Sequence, residues 1–317
     1  MSNEKKLIPL VVIVGPTASG KTKLAVDIAK KFNGEIVSAD SMQIYKYMSI
    51  GTAKPTIEEM SSVPHYMIDF LEPNEKFSVA KYVSMAKQHI ADIHSRNKLP
   101  ILVGGTGLYI NSLIDNIEFA QMQENTPIRD ELYKIAEEKG NDFLFDMLKE
   151  IDENICKELH PNNLGRVIRA IEVYKLTGKN MSWHKEHSKM TPSDYKICMI
   201  GLTASDRQKL YDRINNRVSI MVENGLLDEA KNLFSSVYSG TAKQAIGYKE
   251  LKGYFENEEK LEDCLEKIRM GSRRYAKRQL TWFRKDERIN WIQFDLFSNY
   301  KEIFDFACET LVKNNII

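Results

Sequence analysis

The segment Gly15-Pro16-Thr17-Ala18-Ser19-Gly20-Lys21-Thr22 satisfies the pattern G-x-x-x-x-G-K-[ST]. It follows an apolar, β-branched run at residues 7–14 and precedes helical spacing in Leu24, Ala25, Ile28 and Ala29. In that setting backbone N–H groups and the positive end of a helix wrap polyphosphate oxygens, Lys21 adds a point charge, and the Thr22 hydroxyl can reach Mg²⁺. The loop therefore binds a diphosphate or triphosphate without naming a reaction. Asn97-Lys98-Leu99-Pro100 misses the last position of the base-reading Asn-Lys-x-Asp of switch GTPases. A motor ATPase would need an apolar strand ending in a metal-holding acid, and only Tyr66-Met67-Ile68-Asp69 offers one. For Asp69 a turn or cap role is the simpler reading.

Two more groups fall where ligands collect. Asp40 follows the short strand at residues 35–38, and Thr106 follows the strand at 99–103 through Gly104-Gly105. In open parallel sheets ligands bind beyond the carboxyl ends of strands, which brings Asp40, Thr106 and the phosphate loop to one rim. A lone Asp after a strand is more often a helix cap; here the clustering favours a site. Arg213 and Arg217, four apart on a helical stretch, read either as a solvated charged face or as an anion clamp. Residues 269–288 hold eight Lys and Arg against two acids. Arg269, Arg273 and Lys277 share one helical row and Arg274 and Arg278 the next, a strip suited to a phosphate backbone. Tyr275, Trp282 and Phe283 interleave with it, and for Trp282 and Phe283 core packing is expected over base stacking.

These groups need a frame. The strands above alternate with helical spacing in residues 21–32 and in Val79, Tyr82, Val83, Ala86, Ile90 and Ile93, which argues a parallel sheet covered on both faces. Beyond residue 117 the pattern turns helical. Thr126-Pro127 reads as an N-cap with proline at the first helical position, and Gly140 and Gly178 as stops. A strand pattern returns at residues 195–202, and Ser205-x-x-Gln208 reads as a capping box opening a helix through Met221 and Val222. The expected architecture is an α/β, P-loop NTPase-like parallel sheet core. Residues 1–116 form its first part, 117–190 a helical insertion, and 191–317 the helix-rich remainder.

The 317 residues are 43% hydrophobic and 28% charged, which excludes long disorder and collagen. No apolar run approaches the roughly 18 residues of a membrane span, and no signal-peptide pattern opens the chain, so a cytoplasmic protein is expected. The net charge of +1 means that any basic surface is local. Cys156, Cys198, Cys264 and Cys308 are too dispersed for a zinc ladder and read as buried small thiols. His184 and His187 lack a third ligand nearby and read as surface residues.

The phosphate loop, Ser38 to Gln43, Ile50-Gly51-Thr52-Ala53-Lys54-Pro55, Val103 to Tyr109, His160-Pro161-Asn162 with Arg166 and Arg169, Ala245-Ile246-Gly247-Tyr248, and residues 273–284 resemble, in order, the tRNA dimethylallyltransferases, also called tRNA isopentenyltransferases. The resemblance spans nearly the whole chain. It implies transfer of a dimethylallyl group from dimethylallyl diphosphate to N6 of the adenosine 3′ of the tRNA anticodon (position 37), with Mg²⁺ at Thr22 and the loop holding a leaving group. Asp40 would be the general base and Thr106 would bond the oxygen bridging carbon and phosphorus. Lys21 and Arg217 would clamp the phosphates. Contact with the tRNA anticodon stem-loop would fall to Asp40, Ser41, Met42, Gln43 and Thr106; to Arg129; to Gly165, Arg166, Val167, Ile168 and Arg169; to Gln244, Ala245, Ile246, Gly247, Tyr248 and Lys249; and to Arg273, Arg274, Lys277 and Arg278. The insertion would be the clamp, and the enzyme a monomer without membrane contact. A P-loop small-molecule kinase and an RNA-binding module with a vestigial nucleotide site are the other readings.

Overall fold

A computed structural model of the chain describes residues 7–117, 126–188, 192–235 and 242–317. The chain divides into two compact units, one of Met1–Ile114 with Asp194–Ile317 and one of Asp115–Ser193. In the first unit the elements run β1 (Ile8–Val14), α1 (Lys21–Lys31), β2 (Gly34–Ala39), α2 (Ile57–Met60), β3 (His65–Tyr66), α3 (Val79–Ser95), β4 (Leu99–Gly104) and α4 (Gly107–Ile114). The second unit contributes α5 (Thr126–Lys139), α6 (Asn141–Ile151), α7 (Glu153–Cys156), α8 (Leu164–Thr177) and α9 (Met181–His187). The first unit resumes with β5 (Tyr195–Thr203), α10 (Arg207–Glu223), α11 (Leu226–Ser235), α12 (Lys252–Phe255), α13 (Leu261–Phe283), β6 (Ile289–Gln293) and α14 (Tyr300–Lys313).

The six strands form one parallel sheet in the order β3-β2-β4-β1-β5-β6. β1, β2 and β4 are buried along nearly their whole length, as continuous apolar strands covered on both faces must be. The register Val14↔Gly104 and Ala39↔Gly104 aligns the carboxyl ends of β1, β2 and β4, so the loops after them open on one edge of the sheet. At the opposite end the buried Glu35 carboxylate takes a two-pronged Arg96 and Lys98 and is held down at a pKa of about 2. α1 buries Leu24, Ala25, Ile28 and Ala29, and α3 buries Tyr82, Val83, Ala86, Ile90 and Ile93, the faces that their spacing predicts.

Several local expectations give way. β3 is a two-residue edge strand with no periodicity to announce it, and β6 adds a sixth strand where a helix-rich ending was expected. Asp206, not Ser205, caps α10 by accepting the Gln208 N–H, while Ser205 bonds Asp295. Phe283 is core, but Trp282 stays 43% exposed, lying over Gly107 with its indole N–H on Asn111. Asp69 adopts φ +57° and pairs with Lys54, a turn role. Cys198, Cys264 and Cys308 are buried, and Cys156 is half-buried. No helix among the described residues is long and apolar enough to cross a membrane.

The second unit packs its own core from Leu132, Leu144, Leu148, Val167, Ile168 and Ile171. Gly140 and Gly178 sit at left-handed or positive-φ stops, as placed from sequence. Thr126 is the first residue of α5. Asn116 donates to the Pro192 carbonyl at 3.1 Å, bringing the entry and exit of the unit together. His184 bonds Thr177, and His187 stacks on Trp183 at 3.9 Å.

Candidate active site

The turn after β1 is shaped by its glycines and by the missing cap of α1. Gly15 has φ +145°, and a Cβ there would run into the Leu202 carbonyl on β5. α1 begins after Gly20 with no side-chain cap and no acid in its first turn, so its leading N–H groups are left for an anion. Lys21 Nζ donates to the Pro16 carbonyl at 2.6 Å, folding back over the loop. Burial pulls the Lys21 amine down to about 7; the nearby Arg217 guanidinium adds to this, and Asp40 opposes it. Burial lowers Arg217 too, again against Asp40. The three side chains thus share one electrostatic environment.

Asp40 ends β2 in a tight turn. Its Oδ1 accepts the N–H groups of Met42 at 2.9 Å and Gln43 at 3.2 Å, the local capping that a lone Asp after a strand performs. Oδ2 has no hydrogen-bond partner among the described residues. Thr106, in the turn after β4, accepts the Ser41 N–H at 3.0 Å, and its own N–H reaches the Ala39 carbonyl. Its own hydroxyl donates to Ser41 Oγ over a long 3.4 Å, so a ligand oxygen would take that proton in place of Ser41.

A second loop, Ser49 to Ala53, closes the other side, and sequence reasoning missed what holds it. Glu229 on α11 accepts the N–H groups of Ser49, Ile50 and Gly51 at 2.8–3.0 Å and the Tyr248 hydroxyl at 2.7 Å. The carbonyls of the same loop face the opposite way. Thr52 and Ala53 accept both hydrogens of the Gln43 amide, at 3.2 and 3.0 Å, and Thr52 also accepts Arg217 at 3.4 Å. An acid alone on an exposed-looking helix gave no periodic signal; only the three-dimensional turn reveals its partners.

These elements enclose a cavity of about 360 Å³. Of the residues singled out from sequence, Thr17, Lys21, Thr22, Asp40, Ser41, Met42, Gln43, Arg217, Gln244, Ala245, Ile246, Gly247, Lys249 and Arg278 line it. Thr106 and Tyr248 do not: the Thr106 hydroxyl is engaged with Ser41 behind the Gly104-Gly105 lining, and the Tyr248 ring is buried with its hydroxyl on Glu229. The cavity also takes an aliphatic wall from Ile68, Val103, Ile214, Val218, Met221 and Ile268, which sequence reasoning did not assign. Tyr275, read as a ring beside the basic strip, lines the cavity as well, and burial raises its hydroxyl pKa so that it stays protonated.

The basic strip is narrower than its charge count. Arg269 is paired with Glu262 and Glu266, and Arg273 with Glu266 and Asn215. Arg274, Lys277 and Arg278 are exposed and make no ion pair among the described residues. In the second unit Gly165 and Arg166 are exposed. Val167 and Ile168 are core, so their side chains cannot meet a partner. Arg129 and Arg169 do not point freely outward either, because both bind the fully buried Glu172 carboxylate, at 3.0 and 2.6 Å. A buried carboxylate needs such partners, which is why the charges turn inward.

A family model described as IPP transferase matches residues 43–286. A tRNA dimethylallyltransferase of Thermoanaerobacter sp. (strain X514) is 52% identical over 93% of this chain and 95% of its own. One of Caldanaerobacter subterraneus subsp. tengcongensis is 52% identical over 96% and 98%. Among solved structures, the tRNA isopentenylpyrophosphate transferase of Bacillus halodurans is similar with TM-score 0.71 and 45% identity, covering 98% of both chains. A eukaryotic dimethylallyltransferase acting on tRNA is similar with TM-score 0.81 and 30% identity, covering 96% of this chain and 79% of that one. With a parallel sheet, a phosphate loop and an acid at one cavity, and relatives matched almost end to end, the chain belongs to the IPP transferase family.

Proposed function

We propose that the chain transfers a dimethylallyl group from dimethylallyl diphosphate to N6 of the adenosine immediately 3′ of the tRNA anticodon, position 37, releasing diphosphate. One observation carries the reading: a single cavity joins a phosphate loop, a carboxylate with an uncommitted oxygen and an aliphatic wall. The loop suits the diphosphate and the wall suits a branched five-carbon chain, a combination that phosphoryl transfer does not require.

An adenine amino group is a poor nucleophile because its lone pair is delocalised into the ring. Removal of its proton as the C–N bond forms is therefore useful, and Asp40 Oδ2 is the acceptor. The allylic C–O bond breaks as that bond forms, and its electron pair leaves on diphosphate. Lys21 and Arg217 stabilise the growing charge, and the Thr106 hydroxyl donates to the bridging oxygen. Thr22 and the buried, unpartnered Ser19 hydroxyl are hard oxygen donors at the loop, the class that Mg²⁺ takes. Mg²⁺ held by Thr22 and the substrate's own phosphate oxygens would supply further positive charge to the leaving group. The target nucleotide must leave its stack to reach Asp40, with Ser41 and Gln43 at its edge.

Exposed Arg274, Lys277 and Arg278 support contact with the RNA backbone, and exposed Gly165 and Arg166 support a clamp role for the helical unit. A monomer completes the proposal, and a tRNA substrate supports a cytoplasmic location. The test is incubation with labelled dimethylallyl diphosphate, unmodified tRNA and ATP, then nucleoside analysis. Labelled N6-(dimethylallyl)adenosine with ATP intact is expected; ATP consumption without labelled nucleoside would favour a kinase instead.

A further inference from the structure

α13 faces two ways. Arg274 and Lys277 leave it toward solvent, while Gln279 is only 5% exposed and reaches two loops of the cavity at once. Gln279 Oε1 accepts the Thr17 N–H of the phosphate loop at 2.9 Å. Its Nε2 donates to the Gly105 carbonyl at 3.0 Å, at the turn that carries Thr106. The partners fix the amide's orientation, since a flip would set donor against donor and acceptor against acceptor. The fit is close: a Cβ on Gly105 would run into Nε2. One turn earlier on α13, the Tyr275 hydroxyl lies near enough to the Thr106 and Gln279 side chains that both work against burial to lower its pKa.

We propose that Gln279 is a positioning residue: it holds the phosphate loop and the Thr106 turn at a fixed separation, so that a diphosphate in the loop presents its bridging oxygen to Thr106. The kinetic half of this inference rests on the prenyl-transfer reading. The binding half needs only that the loop takes a diphosphate. The spacing matters because misplacing a reacting group by about 1 Å can cost on the order of 10²-fold in rate.

Two full-length variants test it. Q279L keeps the bulk of the side chain and removes both bonds. Q279E keeps an acceptor for Thr17 but sets a charged oxygen against the Gly105 carbonyl until the new carboxyl is protonated, when both bonds return. For folded Q279L, calorimetry should show inorganic pyrophosphate binding weakened by about tenfold or more, and kcat should fall about 10- to 100-fold with KM for tRNA changed less than threefold. The Q279E rate relative to wild type should rise by about fivefold or more from pH 8 to pH 6, as the new carboxyl takes up its proton. Mere packing at this position would leave that ratio flat. Wild-type pyrophosphate affinity and kcat in folded Q279L, or a pH-independent Q279E ratio, would overturn the proposal. A wild-type protein that binds pyrophosphate but transfers no prenyl group would instead remove the prenyl-transfer reading, with the pyrophosphate arm still deciding whether Gln279 holds the loop.

Discussion

In the free protein the Lys21 amine, lowered to about 7, gives up its proton as pH rises past neutrality and with it the charge that holds phosphate. A bound diphosphate restores that charge, so kcat/KM for dimethylallyl diphosphate should decline above about pH 7 while kcat holds to higher pH. Parallel initial-rate profiles from pH 6 to 9 check this, and a flat kcat/KM would contradict the shift. Removing the proton acceptor in Asp40→Ala should lower kcat by about 10²-fold or more. tRNA affinity, read by filter binding, should stay near wild type. Gln43 makes a subtler demand. Both its amide hydrogens go to the Thr52 and Ala53 carbonyls, leaving Oε1 as its offering to a base. A stem-loop with hypoxanthine at the target position would meet that oxygen with another acceptor, and competition binding should show it weaker than the adenine form by roughly 1–3 kcal/mol.

Among the elements, much of the frame was legible because periodicity reports burial directly: β1, α1, α3 and β4 follow from runs and spacings of apolar residues. The phosphate loop was legible for a different reason, since its residue types are dictated by the ligand. What escaped was made by tertiary contact. β3 has only two residues and β6 alternates weakly, so neither carries enough pattern to register. Glu229 was illegible because a carboxylate that caps three N–H groups of a distant loop looks, in sequence, like any helical acid. The ion pairs of Arg129 and Arg169 escaped for the converse reason, since arginines count as surface charge until a buried partner such as Glu172 is known. Glu229→Ala should strand those N–H groups and the Tyr248 hydroxyl, lowering the unfolding free energy by about 2–4 kcal/mol in denaturant titration. Full wild-type stability in that variant would mean that water replaces the carboxylate without loss.

Taken whole, a chain of net charge +1 sets Arg274, Lys277 and Arg278 close together on α13, exposed and with no ion pair among the described residues, while acids neutralise their neighbours Arg269 and Arg273. Charge reversal at Arg274 and Lys277 together should weaken tRNA binding and reduce the slope of log K against log salt by about 0.7–0.9 for each phosphate that is no longer neutralised. Reversal at Arg269, already paired, should change the slope little. If both variants gave the wild-type slope, this helix would not meet the backbone. The hydrogen bond from Asn116 to Pro192 has a separate consequence. An insert whose two ends meet behaves as a cassette on a short stem: length and sequence can drift inside it, or a graft replace it, while the hydrogen-bonded stem stays the same.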